Sequence, residues 1–323
     1  MRAVVCPASG PLETLVVDEL VPPTPGEGQV IVAVRAAGVN FVDGLICQGR
    51  YQIKPATPFV PGSEIAGEVS AIGPGVSDVS VGDRVIAFVG LGGFAEQVVV
   101  PAPAVIPMPA DLDFARGAAL IQSYATMLFA LTRRTALAPD EWVLVLGAGG
   151  GVGLAAVDVA TALGGRVIAA ASTPDKLAAA VAVGAAATIA YEEEDLKTKA
   201  RELSGGGVDV VVDPVGGRHS EPALRATRQL GRFCVIGFAS GPIAAVPLNQ
   251  VLLNNRTLVG VDWGGWTFRD PLGSRDLIAQ LMAMVGTGRL HPVGPSTFPL
   301  EQAAAVMTGL IDRTIGGKVV LVP

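Results

Sequence analysis

The stretch Gly147-Ala148-Gly149-Gly150-Gly151-Val152-Gly153 decides the fold of this chain. It follows a compact apolar run at 142–146 and leads into residues 154–163, where apolar side chains recur at helical spacing. A glycine-rich turn between a strand and a helix brings backbone N–H groups close to phosphates, and the helix dipole favours their negative charge. The spacing is not a strict G-x-G-x-x-G, because Ala148 stands at the first glycine. We still predict a dinucleotide site here, with glycines that serve only the backbone as the alternative, and place the pyrophosphate against Gly149, Gly150, Gly151, Val152 and Gly153.

Strand-like and helix-like segments alternate on the carboxyl side of this turn. Apolar runs at 166–171, 208–212, 232–236 and 257–261 are typical of buried strands, and helix-like segments separate them. Strands that alternate with helices predict a parallel, doubly wound sheet. We therefore expect an α/β domain over residues 122–262.

The two ends of the chain have a different rhythm. Residues 1–121 contain short β-prone runs such as 29–35 and 84–89, separated by Gly and Pro turns, which predict a small antiparallel barrel or sandwich. The remaining segment, 263–323, finishes with the apolar run 318–322. Such a strand needs a sheet to join, so we expect it to return to the first part and make that domain discontinuous.

Composition excludes several classes of partner. The chain has 23 Lys and Arg against 29 Asp and Glu, a formal net charge of −6, so it lacks the basic surface that nucleic acid or an anionic membrane requires. It has no apolar stretch of about 18 residues and no signal-like N-terminus, and we expect a cytosolic protein with no membrane partner. Three Cys and two His, far apart, indicate neither a disulfide framework nor a metal site.

The type of dinucleotide depends on the residues that follow the strand at 166–171. Proteins that bind NAD place a carboxylate there to bond the ribose 2′-OH. In this chain Ser172, Thr173 and Lys176 stand at that point, and hydroxyls with an ammonium group attract a 2′-phosphate. We therefore predict NADPH. In the alternative interpretation, Asp175 and Lys176 are only the solvated first turn of a helix.

Several motifs carry a resemblance to a known family. They include Ala-Gly-Val-Asn-Phe-Val-Asp at 37–43, Pro-Gly-Ser-Glu-Ile-Ala-Gly at 61–67, Val-Gly-Asp-Arg-Val at 81–85 and Gly-Lys-Val-Val-Leu at 317–321. With the glycine cluster they resemble the medium-chain dehydrogenase/reductase superfamily, and within it the zinc-free quinone oxidoreductases related to zeta-crystallin. The resemblance implies a Rossmann domain plus a GroES-like β-barrel domain built from both chain ends. It also implies a homodimer joined near residues 257–261.

The same resemblance implies roles for individual residues. Asn40 would bond the nicotinamide ribose or the substrate carbonyl, Tyr51 would line the substrate cleft and Thr126 would approach the nicotinamide amide, although Asn40 and Tyr51 are equally well explained as a turn residue and a wall residue. Lys318 would either reach the cofactor or cap the barrel. The remaining cofactor contacts would be Tyr191, near the 2′-phosphate or else a sheet-edge tyrosine, and Gly237, Phe238 and Ala239, near the nicotinamide.

The resemblance also bears on metal and reaction. Zinc-dependent relatives carry Cys where Asn40 stands and His where Ser63 stands, and Asn and Ser are poor zinc ligands, so we predict no metal. Without a Lewis acid, hydride transfer suits an acceptor that is already electrophilic, a quinone or an α,β-unsaturated carbonyl compound. Two alternatives remain: an enoyl-CoA or other enoyl-thioester reductase, and an NADPH-binding protein without catalysis.

Two features depart from the family pattern. Tyr124 fills a position where the family usually has Gly, and a ring there would narrow the cleft or contact substrate. Trp263 and Trp266 form an aromatic pair that either walls an acceptor pocket or, as such residues more often do, packs at an interface.

Overall fold

A computed structural model describes residues 1–323. The strands are β1 (Arg2–Val5), β2 (Val16–Glu19), β3 (Gln29–Val39), β4 (Glu64–Ile72), β5 (Arg84–Phe88), β6 (Gln97–Pro101), β7 (Val105–Pro107), β8 (Trp142–Leu146), β9 (Arg166–Ala171), β10 (Ala187–Ala190), β11 (Val208–Asp213), β12 (Thr227–Val235), β13 (Thr257–Gly260), β14 (Ser296–Pro299) and β15 (Val319–Val322). The helices are α1 (Phe41–Cys47), α2 (Phe114–Ala118), α3 (Thr126–Leu128), α4 (Gly151–Ala162), α5 (Pro174–Ala182), α6 (Leu196–Leu203), α7 (Ser220–Ala226), α8 (Asn249–Leu252), α9 (Trp263–Arg269), α10 (Pro271–Gly286) and α11 (Ala303–Ile311). No helix combines the length and the hydropathy that a membrane span requires.

The chain divides into two compact units. The first unit comprises Met1–Gln122 and Val293–Pro323, and the second comprises Ser123–Pro292. The sequence placed the return to the first domain at residue 263, whereas the second unit extends to Pro292. The segment after α9 stays in the second unit because α10 packs against α9 and the backbone N–H of His291 donates to Asp158 Oδ2 at 2.8 Å.

The second unit contains a six-stranded parallel sheet with the order β10-β9-β8-β11-β12-β13. Every residue of β11 is buried, as the valine-rich sequence of this strand requires when helices cover both faces of a parallel sheet. The predicted doubly wound fold is confirmed. Strand order reverses between β8 and β11, and ligands of such sheets bind outside the carboxyl ends of the strands at that point.

The first unit contains a seven-stranded sheet. Strands β15, β3, β4, β5 and β7 pair antiparallel in that order, β14 lies parallel to β15, and β6 also pairs with β3. The last strand therefore returns to the first part of the chain, with Val319 opposite Val39 and Leu321 opposite Ala37, as predicted. The core of the first unit is built from the inward faces of these strands and includes Ile65 and Leu321, together with Phe94 from the loop before β6.

Candidate functional site

The glycine loop joins β8 to α4 at the carboxyl edge of the parallel sheet. Gly147 has a φ of +59°, which favours glycine, and a Cβ on Gly153 would lie 2.2 Å from the carbonyl oxygen of Gly147. The N-cap of α4 is Gly150, and no side chain caps the helix there. The N–H groups of its first turn are therefore left for an external acceptor, so the loop fits a pyrophosphate.

Lys176 lies directly over this loop. A Cβ on Gly149 would come within 2.4 Å of Lys176 Cβ, and Lys176 Nζ donates to Ser172 Oγ at 3.4 Å. Thr173 is the N-cap of α5, and its hydroxyl oxygen accepts from the backbone N–H of Lys176 at 3.4 Å. An ammonium and a hydroxyl thus stand together at the end of β9, and this donor set fits a 2′-phosphate.

The structure brings Tyr191 to the same place. Ala190 and Ala171 are partners in the parallel pair of β10 and β9, so Tyr191 and Ser172 are adjacent at the strand ends. The Tyr191 ring packs on the His219 ring with 4.3 Å between their centroids. His219 is accordingly part of this cluster.

The segment after β12 lies at the same edge of the sheet. The backbone N–H groups of Gly237 and Ala239 donate to the carbonyl oxygens of Asp213 and Pro214, at 3.3 and 3.1 Å, and the ring of Phe238 is partly exposed. These bonds hold Gly237, Phe238 and Ala239 beside the turn that follows β11. The structure thereby groups them with the glycine loop along one edge.

Thr126 lies at the start of α3, between the π-helical segments Ile121–Ala125 and Phe129–Arg134. Short π-helical segments are rare and often mark functional sites. Helix α3 packs against α4, the helix that begins at the glycine loop. Thr126 is half-buried, and the contact between α3 and α4 connects its helix to the helix that begins at the glycine loop.

Tyr124 is a packing residue of the second unit. Its ring is almost fully buried, and its hydroxyl donates to Asp158 Oδ2 on α4 at 2.9 Å. Burial raises the pKa of Asp158, although the bonds from His291 and Tyr124 oppose the rise. The sequence left open whether this ring narrows the cleft or contacts substrate; its contacts in the structure favour a packing role, in which Tyr124 donates to a buried carboxyl group.

The two tryptophans of α9 also pack inside the second unit. The ring of Trp266 stacks on Phe129, with 4.6 Å between the centroids and 24° between the planes. Trp263 is buried. Of the two interpretations that the sequence left open, these contacts favour packing.

In the first unit, Asn40 belongs to a buried polar network. Its Oδ1 accepts from Lys318 Nζ at 2.5 Å, and its Nδ2 donates to Glu64 Oε1 at 2.9 Å and more weakly to Ser63 Oγ at 3.5 Å. Both ends of the Asn40 amide are therefore engaged. This arrangement fixes which end is the acceptor and which is the donor.

Glu64 is the centre of this network. Its Oε1 accepts from Lys318 Nζ at 2.7 Å, and its Oε2 accepts from the backbone N–H of Gln122 at 2.8 Å. Gly38 makes room for it, since a Cβ there would lie 2.6 Å from Glu64 Oε1. Sequence reasoning did not assign Glu64 a role. The one signal for it was Gly38, two residues before Asn40, because the missing side chain at Gly38 leaves room for Glu64.

Asp43 supports Asn40 from the first turn of α1. Its Oδ2 accepts from the backbone N–H of Asn40 at 2.7 Å, so it braces this turn. Burial raises the pKa of Asp43 to about 7; the nearby Glu64 adds to the rise, while the Asn40 N–H and Lys318 oppose it. Tyr51 lies in the loop after α1 and is half-buried.

The metal prediction concerns Asn40 and Ser63. In the network Ser63 Oγ donates to Gln122 Oε1 at 2.8 Å, and both side chains serve as hydrogen-bonding groups. No group of three or more His, Cys, Asp or Glu side chains is placed to hold a metal ion. The three cysteines are free and buried; Cys6 Sγ donates to the carbonyl oxygen of Cys47 at 3.9 Å, and Cys234 lies on β12.

Comparison with known proteins gives consistent matches along the chain. Residues 26–110 match a family model described as an alcohol dehydrogenase GroES-like domain, and residues 151–283 match one described as a zinc-binding dehydrogenase. The quinone oxidoreductase-like protein 2 homolog of Nematostella vectensis is 39% identical over 324 residues, which cover 99% of this chain and 88% of that protein.

Two solved structures extend the comparison. A probable oxidoreductase from Mycobacterium abscessus superposes with a TM-score of 0.90 at 38% identity, covering 100% of this chain and 99% of that one. The quinone oxidoreductase of Thermus thermophilus, solved alone and in complex with NADPH, superposes with a TM-score of 0.86 at 35% identity over 100% of both chains.

Proposed function

The chain belongs to the quinone oxidoreductases of the medium-chain dehydrogenase/reductase family, and we propose that it is an NADPH-dependent reductase whose acceptor is a quinone or an α,β-unsaturated carbonyl compound. The proposal that the cofactor is NADPH rests on the uncapped N-terminus of α4 at the glycine loop and on Lys176, which packs over Gly149. The complex of the Thermus relative with NADPH supports the same choice.

Bound NADPH supplies the hydride, and the chain binds and orients the reactants. The first turn of α4 holds the pyrophosphate, while Ser172 and Lys176 hold the 2′-phosphate, with Tyr191 beside them. Gly237, Phe238 and Ala239 line the nicotinamide end, and Thr126 approaches the nicotinamide amide. Lys318 acts through Asn40 rather than by reaching the cofactor, because its ammonium is committed to Asn40 and Glu64.

Asn40 and Tyr51 act on the acceptor. The Asn40 amide has a fixed orientation and its second Nδ2 hydrogen makes only the long bond to Ser63, so this N–H is the donor for the acceptor oxygen or the nicotinamide ribose. Tyr51 lines the acceptor site. The reaction proceeds without zinc, because an amide and a hydroxyl stand where zinc-dependent relatives place a thiolate and an imidazole.

We also propose a homodimer. Strand β13 is an edge strand that pairs only with β12, and Leu258 on it is partly exposed. The adjacent Leu252 and Leu253 are 75% and 72% exposed. An unpaired edge flanked by apolar side chains is a template for a second copy.

The test of the reaction is NADPH oxidation with an ortho-quinone, run beside the same assay with an enoyl-CoA. Turnover of the quinone, reduced about a hundredfold in Asn40→Ala, is the expected result. Turnover of the enoyl-CoA alone would instead make the protein a thioester reductase. Tight NADPH binding without turnover of either acceptor would favour a binding protein.

A further inference from the structure

Side chains bridge the carboxyl ends of the central strands in the second unit. Tyr191 follows β10 and His219 follows β11, and β9 and β8 lie between those two strands. Because neighbouring strands are about 4.8 Å apart, the two strand ends are separated by about 14 Å. Their rings are nevertheless in contact, with 4.3 Å between the centroids and 37° between the planes. The Tyr191–His219 pair therefore spans the ends of β9 and β8.

An ion pair runs alongside this aromatic contact. Arg218 Nη2 lies 2.6 Å from both carboxylate oxygens of Glu192, and Arg218 Nε donates to His219 Nε2 at 3.3 Å. The side chains of Arg218 and Glu192 are 70% and 45% exposed. An exposed ion pair of this kind contributes little to stability, so a phosphate can draw Arg218 away from Glu192 at little cost.

The residues at the ends of β9 and β8, which the Tyr191–His219 pair spans, are those that fit the adenosine end of the cofactor. Ser172 and Lys176 follow β9, and the glycine loop follows β8. Tyr191 is adjacent to Ser172, and its backbone N–H donates to the carbonyl oxygen of Ala171 at 3.3 Å. Glu192 is the next residue, so a carboxylate stands one position away from the predicted 2′-phosphate site.

That carboxylate has opposite consequences for the two cofactors. An isolated Glu192 would repel a 2′-phosphate, and it would accept a hydrogen bond from the ribose 2′-OH of NADH, as the acidic residue of NAD-binding sheets does. Arg218 neutralises it, and its planar guanidinium has further N–H donors that suit a phosphate. The hydrogen bond from Arg218 also lowers the pKa of Glu192, so the paired carboxylate stays charged to a lower pH than an unpaired one would.

We propose that the Arg218–Glu192 ion pair is a specificity element of the adenosine site. This proposal rests on the proposed NADPH-dependent function. Arg218 withholds Glu192 from the ribose and turns toward the 2′-phosphate when NADPH binds, so the pair selects NADPH over NADH. Lys176 and Ser172 supply the remaining donors. Neither Arg218 nor Glu192 touches the reacting end of the cofactor, so the ion pair affects the binding of the cofactor.

Calorimetric titration with 2′,5′-ADP and 5′-AMP tests this, because these ligands differ only in the 2′-phosphate and need no turnover. We expect Arg218→Gln to weaken the binding of 2′,5′-ADP by about tenfold or more, while it changes the binding of 5′-AMP less than about twofold. Glu192→Gln should strengthen 2′,5′-ADP, and the double variant should regain part of the loss, a coupling that independent sites do not show. Arg225→Gln, which breaks the Arg225–Glu221 pair of the same unit, is the matched control.

One result would overturn the proposal: an Arg218→Gln variant whose ratio of affinities for the two ligands equals that of the wild type, whether both affinities are unchanged or both fall by the same factor. Unchanged thermal unfolding of the variant shows that the exposed substitution leaves the fold intact. The outcomes also separate this proposal from the proposed function, because wild-type protein that binds neither NADPH nor 2′,5′-ADP defeats both, whereas NADPH binding with an unaffected Arg218→Gln variant defeats this one alone.

Discussion

Lys318 Nζ lies 2.7 Å from Glu64 Oε1, and the two side chains are only 8% and 1% exposed. The pair joins the residue that precedes β15 to the first residue of β4, across 254 positions of sequence. The same ammonium bonds Asn40 Oδ1. A buried charge pair therefore fixes the amide that we assign to the acceptor site, and it ties the last strand to the first part of the chain.

Replacement of one partner should be costly. Lys318→Met leaves the Glu64 carboxylate buried without its counter-ion, and we expect the free energy of unfolding to fall by about 3–5 kcal/mol in denaturant titrations. Lys199→Met, which removes a lysine paired with Glu202 on the surface, is the matched control and should cost less than about 1 kcal/mol. The double change Lys318→Met with Glu64→Gln should recover part of the loss; equal costs for Lys318→Met and Lys199→Met would contradict this account.

Asp43 should make stability depend on pH. Its pKa is raised to about 7 in the folded chain, so the folded state binds the proton more tightly than the unfolded chain does. The stability that the protonated group contributes is full below pH about 4 and is lost as the pH rises through about 7. Relative to wild type, Asp43→Asn should therefore gain stability across that window, by up to about 1.4 kcal/mol per pH unit.

The measurement is denaturant unfolding of both proteins at a series of pH values. Asp83→Asn is the control for the loss of a carboxylate, because exposed Asp83 makes a comparable bond to the backbone N–H of Ser80. A stability difference between Asp43→Asn and wild type that stays constant from pH 4 to pH 8 would be evidence against a raised pKa.

The fold was predictable because it rests on repeated local patterns. Valine-rich runs such as β11 and the glycine turn before α4 recur at a rhythm that admits a parallel sheet, and the apolar run at β15 needed a sheet to join. The end of the second unit was misplaced at residue 263 instead of Pro292. Nothing in the pattern of α10 indicates which unit it packs against.

The contacts of the site were less predictable, since they join residues far apart in sequence. No local pattern relates Lys318 to Glu64, or Arg218 to Glu192, because an ion pair depends on two backbones that the fold brings together. The orientation of the Tyr124 side chain likewise depends on the Asp158 carboxyl group of α4. Residue types at the strand ends indicated the cofactor site, but not the partners that orient it.

Tyr124→Phe separates packing from substrate contact. The change removes the hydrogen bond to the buried Asp158 carboxyl group, and we expect a loss of about 1–3 kcal/mol in the free energy of unfolding. Because the ring is buried, the ratio of kcat/KM for a small and a bulky quinone should stay as in wild type. A changed ratio with unchanged stability would return Tyr124 to the substrate site.

Gly149→Ala tests the glycine loop. The new Cβ would meet Lys176 Cβ at 2.4 Å and Lys176 Cα at 2.9 Å, so the start of α5 or the loop must shift. We expect NADPH affinity, measured by fluorescence titration, to fall by about tenfold or more. Gly286→Ala on α10, where a Cβ meets nothing within 4 Å, is the control and should bind as wild type does. Equal affinities of the two variants would mean that the loop does not contact the cofactor.

The edge strand β13 provides the last test. If the dimer forms through this edge, Leu258→Lys places a charge on the strand that must pair, and charged side chains block the pairing of edge strands. Sedimentation at micromolar concentration should then change from a dimer to a monomer. Val81→Lys, at an exposed apolar position of the first unit, controls for the added charge and should remain dimeric. A Leu258→Lys variant that sediments as the wild-type dimer would exclude this edge as the interface, because a buried lysine ammonium without a partner costs several kcal/mol.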